Sequence, residues 1–379
     1  MSSKKIGIIT FHSSYNCGSM LQAYALQKFL KKKCYDVEIV DFSSVGQKKL
    51  YSVYTENKSL KMLLKNVVTF FHASKIKANF SRYETFKREQ FNLSAYSTSD
   101  MRELKDDYYA VIAGADQIWN ITISDYDDAY FLPWVTKGKK IAYAPSFGAK
   151  NIREYAKSLK KFQEYLNNFD SLSIRENNGR QWIEDLISKT VPVVLDPTLI
   201  IEREDYENII SEELELPKKY IFYYAPSFSI KINKLVKNIS RKYKLAVIAF
   251  NTKAFYMRGV NFFGFRLPKF EDPSTYLQLM KNAEMVITTS FHGTVFSTVF
   301  RRKFWVIKNG AMFENDDRVI TLVNQLGIEE RLISMDFNKD FDYNIPVNYT
   351  KYDNNLLRLK KYSQDYLLAA LETSNETAK

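Results

Sequence analysis

Apolar and polar positions at the start of the chain predict a strand, a helix and a second strand. The mostly apolar segments Lys5 to Phe11 and Val37 to Phe42 have the length of strands. Between them, Ser19 to Lys33 repeats apolar residues at helical spacing, with lysines elsewhere on the helix. Because neighbouring parallel strands need a long crossover, usually a helix, these segments predict the beginning of a parallel sheet.

The same alternation continues through the first half of the chain. It predicts strands at Ala110 to Ala113, Ile141 to Ala144, Ser171 to Ile174 and Val191 to Leu195, and helices around Ile152 to Phe169 and Gly179 to Ile187. Strands that alternate with helices are typical of a mostly parallel sheet covered by helices on both faces.

The pattern restarts near residue 214. It predicts strands at Tyr220 to Ala225, Leu245 to Phe250 and Met285 to Thr289, and helices at Ile232 to Lys242, from Asp272-Pro273 to Asn282, and at Tyr352 to Leu371. We therefore predict an α/β protein with two Rossmann-like domains. The N-terminal domain covers residues 1–212, the C-terminal domain covers 213–345, and a helix within 346–379 packs back on the N-terminal domain.

One segment, at about residues 47–91, breaks this alternation because it is rich in lysine and aromatic residues. Its central part, Ser59 to Lys77, mixes leucine, valine and phenylalanine with lysines. Two interpretations stay open. A basic amphipathic helix of this kind can lie on an anionic membrane surface. Alternatively, an inserted pair of helices covers the sheet and its lysines are simply solvated.

The composition limits the class of protein and its location. With 379 residues, 45% of them hydrophobic, the chain can bury a large core, which excludes a disordered or fibrous protein. The sequence has no uncharged apolar run of membrane-spanning length, and its first residues lack a secretory signal, so we expect a cytoplasmic protein. If segment 47–91 binds lipid, the protein is peripheral on the inner face of the plasma membrane.

A formal net charge of +12 favours polyanionic partners. The basic residues are spread along the chain and no nucleic-acid-binding motif is present, so we expect no nucleic acid. Two cysteines, Cys17 and Cys34, are too few for a disulfide framework or a structural zinc site. Asp125, Asp127 and Asp128 resemble a D-x-D metal clamp, but three acids in a polar loop are more often solvated. We expect neither a metal nor a cofactor.

The strongest local signal is the segment Thr288 to Phe300, in which a strand ends in a polar turn and a helix follows. Ligands of open α/β sheets bind beyond the carboxyl ends of strands, and the free N–H groups of a helix start favour anions. His292 lies at this helix start, between Ser290, Phe291 and Gly293, which we predict to bind substrate. Imidazole suits proton transfer near neutral pH. The alternative is a histidine that only caps the helix.

A second candidate is the loop after the first strand, where Asn16 and Gly18 precede a helix. A phosphate or carboxylate could bind the N–H groups of this turn, although the loop lacks the glycine pattern of dinucleotide-binding proteins. An ordinary turn, with Ser and Asn as helix caps, fits equally well. Cys17 lies in the same loop, but the sequence identifies no base that would make it a nucleophile.

Two further strand ends carry candidate residues. The apolar strand before Gly114 leads to Asp116 and Gln117, and Asp116 could deprotonate or orient an acceptor hydroxyl. Arg175 follows another strand, and its planar guanidinium suits a carboxylate or a phosphate. The alternatives are an Asp116 that caps the next helix and an Arg175 held in a structural ion pair. Asp196-Pro197 is interpreted mainly as a rigid turn.

Six strings occur in series: GIITFHSSYNCGSMLQAYALQ, AGADQIWN, YAPSFG, SIRENNG, VLDPTL and TTSFHGTVFS. In this order they resemble the polysaccharide pyruvyl transferase family, over about Lys5 to Ile307. The resemblance implies a GT-B-like pair of domains with the active site in the interdomain cleft, and phosphoenolpyruvate as the donor. It also implies that His292 transfers a proton, that Arg175 contacts the donor, and that Asp116 is an active-site residue.

The chain departs from this family at one position. Members often have an arginine two residues before the active-site histidine, and here that residue is Ser290. Recognition of the donor's anionic groups would then fall to Arg175, to N–H groups of the helix start, or to Arg301, Arg302 or Lys303.

The expected function is formation of a pyruvate ketal on a sugar of a bacterial-type surface polysaccharide precursor, for a capsule or an exopolysaccharide. A glycan acceptor on a polyprenyl-pyrophosphate carrier would give a reason for segment 47–91 and for the net charge. Two other classes remain open. One is a GT-B glycosyltransferase that uses a nucleotide sugar, because fold does not determine function. The other is a non-catalytic binding protein.

Overall fold

A computed structural model describes residues 4–56, 59–308 and 317–372. Among these residues, no helix combines the length and the apolar character needed to cross a bilayer.

The first half of the chain forms a five-stranded parallel sheet. Its strands are β1 Ile6–Ile9, β2 Val37–Phe42, β3 Leu93–Thr98, β4 Ala110–Ala113 and β5 Lys139–Ala142. They pair in the order β3-β2-β1-β4-β5. The helices are α1 Cys17–Lys32, α2 Val45–Leu50, α3 Leu60–Gln90, α4 Ile152–Tyr155, α5 Leu159–Asn167, α6 Asn177–Ile187 and α7 Arg203–Glu207. Strands β1 and β4 are buried at every position, as expected for strands covered on both faces.

The second half repeats this architecture. Its strands are β6 Tyr220–Tyr224, β7 Ala246–Ala249, β8 Met285–Thr288, β9 Lys303–Ile307 and β10 Leu332–Ile333, again all parallel. They pair in the order β10-β9-β8-β6-β7. The helices are α8 Ile230–Tyr243, α9 Thr252–Met257, α10 Pro273–Asn282, α11 Phe291–Val299 and α12 Arg318–Leu326. The predicted α/β class with two Rossmann-like sheets is confirmed.

Two predicted strands are wrong. Ser171 to Ile174 and Val191 to Leu195 form only isolated bridges beside the first sheet, at Ile141–Ser171 and Ile174–Val193. Both segments are apolar because they are buried against the sheet, and burial alone does not distinguish a strand from an extended connection.

The last helix, α13 Tyr349–Glu372, contacts both halves of the molecule. Near its start, the Tyr349 hydroxyl donates to the backbone oxygen of Arg302 in the second half. Near its end, the backbone N–H of Leu195 donates to Ser363 Oγ at 2.9 Å, and Lys139 Nζ donates to the Leu371 oxygen at 2.9 Å. The chain therefore returns to the first sheet at its end.

The inserted segment forms the short helix α2 and the long helix α3. The second part of α3 buries Ile76, Tyr83 and Phe86. This helix also reaches the second half: the rings of His72 and Tyr256 stack with centroids 3.4 Å apart, and Arg82 forms an ion pair with Asp272. Helix α3 therefore bridges the two sheets.

The first part of α3 has its apolar residues on the outside. Its exposed apolar residues are Leu60, Leu63, Leu64, Val67, Val68, Phe70 and Phe71. Phe71 is 76% exposed and Leu60 is 72% exposed, whereas Thr69, between two exposed neighbours, is buried. The apolar stripe of this part therefore faces solvent, while the second part of the same helix buries its apolar residues.

Candidate active site

A cavity of about 680 Å³ lies where the carboxyl ends of both sheets meet. The loops after β1, β4, β6 and β8 line it. In each sheet the strand order reverses between two of these strands, β1 and β4 in the first and β6 and β8 in the second. Ligands of open α/β sheets bind at such switch points. Helix α3 completes the cavity with Ile76, Asn79, Phe80 and Tyr83.

Seven of the nine predicted site residues line this cavity. They are Asn16, Asp116, Gln117, Arg175, Ser290, Phe291 and His292. The two glycines, Gly18 and Gly293, lie behind the cavity surface and allow close packing. A Cβ atom on Gly18 would lie 2.2 Å from His292 Nδ1, and one on Gly293 would lie 2.1 Å from Thr288 Oγ1. Gly18 therefore lets α1 of the first half approach His292 of the second half.

Asn16 caps helix α1. Its side-chain oxygen accepts hydrogen bonds from the backbone N–H groups of Gly18 at 2.9 Å and Ser19 at 3.4 Å. The capping interpretation of this loop is thus realised, and the capped helix start faces the cavity.

His292 is the second residue of α11 and is 7% exposed. Ser290, not His292, caps the helix, because Ser290 Oγ accepts from the Gly293 N–H at 3.3 Å. The alternative of a capping histidine is therefore wrong. Within the described part of the chain, His292 Nε2 makes no hydrogen bond. It lies 3.5 Å from Asp196 Oδ2, a distance that suits an ion pair when the imidazole is protonated.

Asp196 connects the histidine to the arginine. Its Oδ2 accepts from Arg175 Nη1 at 2.6 Å, and its Oδ1 accepts from Thr198 Oγ1 at 2.6 Å. Burial opposes ionisation of this carboxyl, but the charges of His292 and Arg175 and these hydrogen bonds hold its pKa well below the usual range. The interpretation of Asp196 as mainly a rigid turn missed this role. Its partners are distant in sequence, so no local pattern reveals them.

Arg175 is 3% exposed and faces three carboxylates. Besides its bond to Asp196, its Nη2 lies 3.8 Å from Asp116 Oδ1 and its Nε lies 4.0 Å from Glu176 Oε2. The structural ion pair named as the alternative is therefore present. It does not use the whole guanidinium, because Nε and Nη2 have no hydrogen-bond partner among the described residues. These buried donors can bind an anion in the cavity.

Asp116 follows β4 in the left-handed region, with φ of +75°. Its Oδ2 accepts from Ser19 Oγ at 2.5 Å, and its Oδ1 accepts from the Gln117 N–H at 2.9 Å. No helix begins here, so the alternative of a helix cap is wrong. Few residue types other than glycine adopt this conformation, and aspartate is among those that do. The strained turn directs the carboxylate toward helix α1 and the cavity.

Besides Asp196, other charged residues of the site were missed by sequence reasoning or given another role. Arg318, Asp125 and Glu271 line the cavity, and Glu176 lies buried beside Arg175. Burial raises the pKa of Glu176 to about 7, although Arg175 and Arg318 oppose this shift. Arg318 and Glu271 have no distinguishing motif around them, since single charged residues at helix starts are common.

The three acids of the D-x-D pattern separate in space. Asp125 is 5% exposed and lines the cavity. Asp127 Oδ1 instead caps a helical turn through the Ala129 N–H, and Asp128 pairs with Lys161. Residues that the structure describes contain no group of three His, Cys, Asp or Glu that could hold a metal.

Other candidates do not reach the cavity in a reactive form. Cys17 is 1% exposed and its sulfur lies 3.1 Å from the Tyr83 hydroxyl. Burial raises its pKa well above the usual value, which opposes formation of a thiolate. Arg301 pairs with Asp353 and Lys303 pairs with Glu284, and neither residue lines the cavity.

Two parallel Rossmann-like sheets whose carboxyl ends share one charged cavity define a GT-B-like enzyme fold. A sequence model of the family described as polysaccharide pyruvyl transferase matches residues 16–310. The chain therefore belongs to the polysaccharide pyruvyl transferase family and is a transferase. No curated protein sequence gives a significant match.

The solved structures to which the chain is similar include UDP-N-acetylglucosamine 2-epimerases and heptosyltransferases. The S. aureus MnaA–UDP co-structure has a TM-score of 0.51 and 12% identity, and the match covers 99% of each chain. An E. coli ADP-heptose lipopolysaccharide heptosyltransferase II has a TM-score of 0.40 and 8% identity, over 97% of this chain and 98% of that one. The first match supports the GT-B-like fold. At 12% identity it supports no statement about function.

Proposed function

We propose that this protein transfers a pyruvyl group from phosphoenolpyruvate to two hydroxyls of one sugar in a surface-polysaccharide precursor, forming a ketal. The observation that carries the proposal is that the buried Nε and Nη2 groups of Arg175 have no hydrogen-bond partner among the described residues. They adjoin a cavity that also presents carboxylates. The negative charges of phosphoenolpyruvate would accept hydrogen bonds from these N–H groups. The hydroxyls of the acceptor sugar would donate hydrogen bonds to the carboxylates.

Donor binding would use three features of the cavity. The Nε and Nη2 groups of Arg175, which make no hydrogen bond within the described residues, suit the carboxylate or the phosphate of phosphoenolpyruvate. The start of helix α11 supplies N–H groups and a partial positive charge. Arg318, which is 9% exposed and lines the cavity, would replace the arginine expected at Ser290.

His292 would supply the proton that phosphoenolpyruvate needs at its methylene carbon. Protonation leaves a positively charged carbon next to the phosphate oxygen, and a sugar hydroxyl attacks there. Asp196, ionised at neutral pH, would stabilise the protonated imidazole and orient the ring. Asp116 would accept the proton of the attacking hydroxyl. Its carboxylate lies 3.8 Å from Arg175, which we propose to bind phosphoenolpyruvate, so it lies near the bound donor. Phosphate then leaves.

Calorimetric titration with phosphoenolpyruvate, UDP, CMP and NAD would test the donor. We expect selective binding of phosphoenolpyruvate that weakens in Arg175→Ala. Arg301→Ala is the matched control, since Arg301 pairs with Asp353 at the surface and does not line the cavity. Binding of a nucleotide without binding of phosphoenolpyruvate would contradict the proposal.

The second candidate function is a glycosyltransferase that uses a nucleotide sugar. The GT-B-like fold favours it, because a protein of similar fold, S. aureus MnaA, forms a complex with UDP. The same titration separates the two functions.

We also propose that the acceptor is carried on a polyprenyl pyrophosphate, so that the protein acts at the inner face of the plasma membrane. The exposed apolar stripe of α3 supports this, because a contiguous apolar surface marks an interaction site. Basic residues lie near the stripe. The pKa of Lys253 is lowered mainly by burial and also by the charge of Lys65 in α3, so these two lysines lie close together. Anionic lipid would complement this charge and the net charge of +12.

Vesicle flotation would test membrane binding. We expect the protein to float with anionic vesicles and less so at high salt, and Phe70→Ser combined with Phe71→Ser to abolish flotation. The control is Leu357→Ser combined with Tyr362→Ser, which removes two exposed apolar residues from α13. Equal flotation of both double variants would contradict the assignment of α3.

A further inference from the structure

We propose that Asp125 accepts a proton from the second acceptor hydroxyl, so that Asp116 and Asp125 together recognise a pair of hydroxyls on one sugar. This inference rests on the proposed function and extends it to the second half of the reaction.

The proton balance of ketal formation requires two deprotonations. Two sugar hydroxyls each form a bond to the same carbon of the donor, and each loses its proton. His292 gives one proton to the methylene carbon, and this carbon becomes the methyl group. One of the two hydroxyl protons restores the proton that His292 has lost. The other leaves with the departing phosphate. Each hydroxyl therefore needs a proton acceptor. We assign Asp116 to the first hydroxyl, and the second hydroxyl needs another group.

Asp125 and Asp116 lie near one another in the cavity. Both line it, and both are buried, at 5% and 6% exposure. Both charges also act on Tyr51. Burial is the main cause that raises the pKa of Tyr51, and the charges of Asp125 and Asp116 raise it further. Two carboxylates that line one cavity fit two hydroxyls of one sugar better than they fit an anion.

Asp125 is held in place by its backbone. The Ser44 hydroxyl donates to the Asp125 backbone oxygen at 3.0 Å, and Asn120 Oδ1 accepts from Thr122 Oγ1 at 2.7 Å earlier in the loop. Gly46 of α2 packs so closely that a Cβ there would lie 1.7 Å from the Ser124 oxygen. The loop after β4 is therefore fixed, and a fixed proton acceptor needs no reorganisation during reaction.

The carboxylate itself is available. The hydrogen bond from Ser124 Oγ to Asp125 Oδ1 is long, at 3.4 Å. Burial raises the pKa of Asp125 to about 6, Ser124 opposes the shift, and the charge on Asp116 adds to it. A carboxylate with a pKa near the working pH is an effective general base.

The remaining carboxylate of the cavity is already occupied. Glu271 Oε1 accepts from the Asn251 N–H at 2.9 Å, and its Oε2 accepts from the Thr252 N–H at 2.9 Å and from Asn79 Nδ2 at 3.2 Å. These bonds join α3 to α9 and give Glu271 a structural role. Asp125 is therefore the better second base.

The test uses Asp125→Asn, with phosphoenolpyruvate labelled at its phosphate-bearing carbon and a panel of p-nitrophenyl hexopyranosides as acceptors. Carbon NMR separates a cyclic ketal from a pyruvyl group attached through one oxygen. We expect wild type to form the ketal. The variant should form it about 100-fold more slowly or worse, with the singly attached product accumulating, and should bind phosphoenolpyruvate as wild type does.

Asp127→Asn is the matched control, because Asp127 lies two residues away, caps a helical turn and can be replaced there by asparagine. Calorimetry with phosphoenolpyruvate and a thermal unfolding scan show that each variant is folded. Equal ketal formation by Asp125→Asn and wild type would overturn the inference alone. Absence of phosphoenolpyruvate binding by wild type would overturn the proposed function on which it rests.

Discussion

Gly18→Ala tests how closely the two halves of the site must fit. Ordinary contact begins near 3.4 Å, and the new Cβ would lie 2.2 Å from His292 Nδ1 and 2.5 Å from its Cγ. The ring and the helix must therefore separate by about 1 Å, and misplacement of a catalytic group by that distance can cost about 100-fold in rate. Alanine is also a better helix former than glycine by about 1 kcal/mol, which offsets part of the strain.

We therefore expect Gly18→Ala to lower kcat by about 100-fold while the unfolding midpoint shifts by only a few degrees. The assay is turnover of phosphoenolpyruvate, followed as release of phosphate, together with a thermal scan. Gly7→Ala is the matched control, because its Cβ would meet Val40 Cγ2 at 3.1 Å in the core, away from His292. An unchanged kcat in Gly18→Ala would refute the placement of His292 at the reacting carbon.

Two further predictions concern buried charges. Asp196→Asn removes the negative charge that pairs with Arg175. We expect this variant to lose about 3–5 kcal/mol of stability in chemical denaturation and most of its turnover. Unchanged stability and turnover would contradict the role of Asp196. In Glu176 the folded-state pKa of about 7 exceeds the ordinary 4.5, so the folded state keeps the proton to higher pH and its stability falls as pH rises between these values. The stability of Glu176→Gln relative to wild type should rise by up to about 3 kcal/mol from pH 4 to pH 8, and a constant difference would contradict this shift.

Much of the fold is predictable from local patterns. The boundaries of β2 and β4 agree with the predicted segments, since buried parallel strands are rich in apolar residues. Strand β3 was missed because it lies at the edge of the first sheet and mixes polar with apolar residues without a regular pattern. Two apolar segments were wrongly predicted as strands because hydrophobic burial does not require strand pairing.

Residues that line the cavity were predictable near the ends of apolar segments. Asp116 and His292 follow β4 and β8, whose carboxyl ends face the cavity. Arg175 follows an extended segment that was wrongly predicted as a strand but that lies beside the same sheet. Asp125 was seen but grouped with its sequence neighbours, whose side chains point elsewhere. Asp196 was interpreted from the proline beside it, although its function depends on partners that only the folded chain brings near.

Helix α3 forms part of the cavity wall but lies outside both sheets. Its residues Ile76, Asn79, Phe80 and Tyr83 line the cavity, yet they belong to an insertion that contributes no strand to either sheet. The residues proposed for chemistry lie instead on α11 and on the loops after the strands. Substitutions within residues 60–90 would therefore reshape the cavity without replacing any residue that we propose for chemistry.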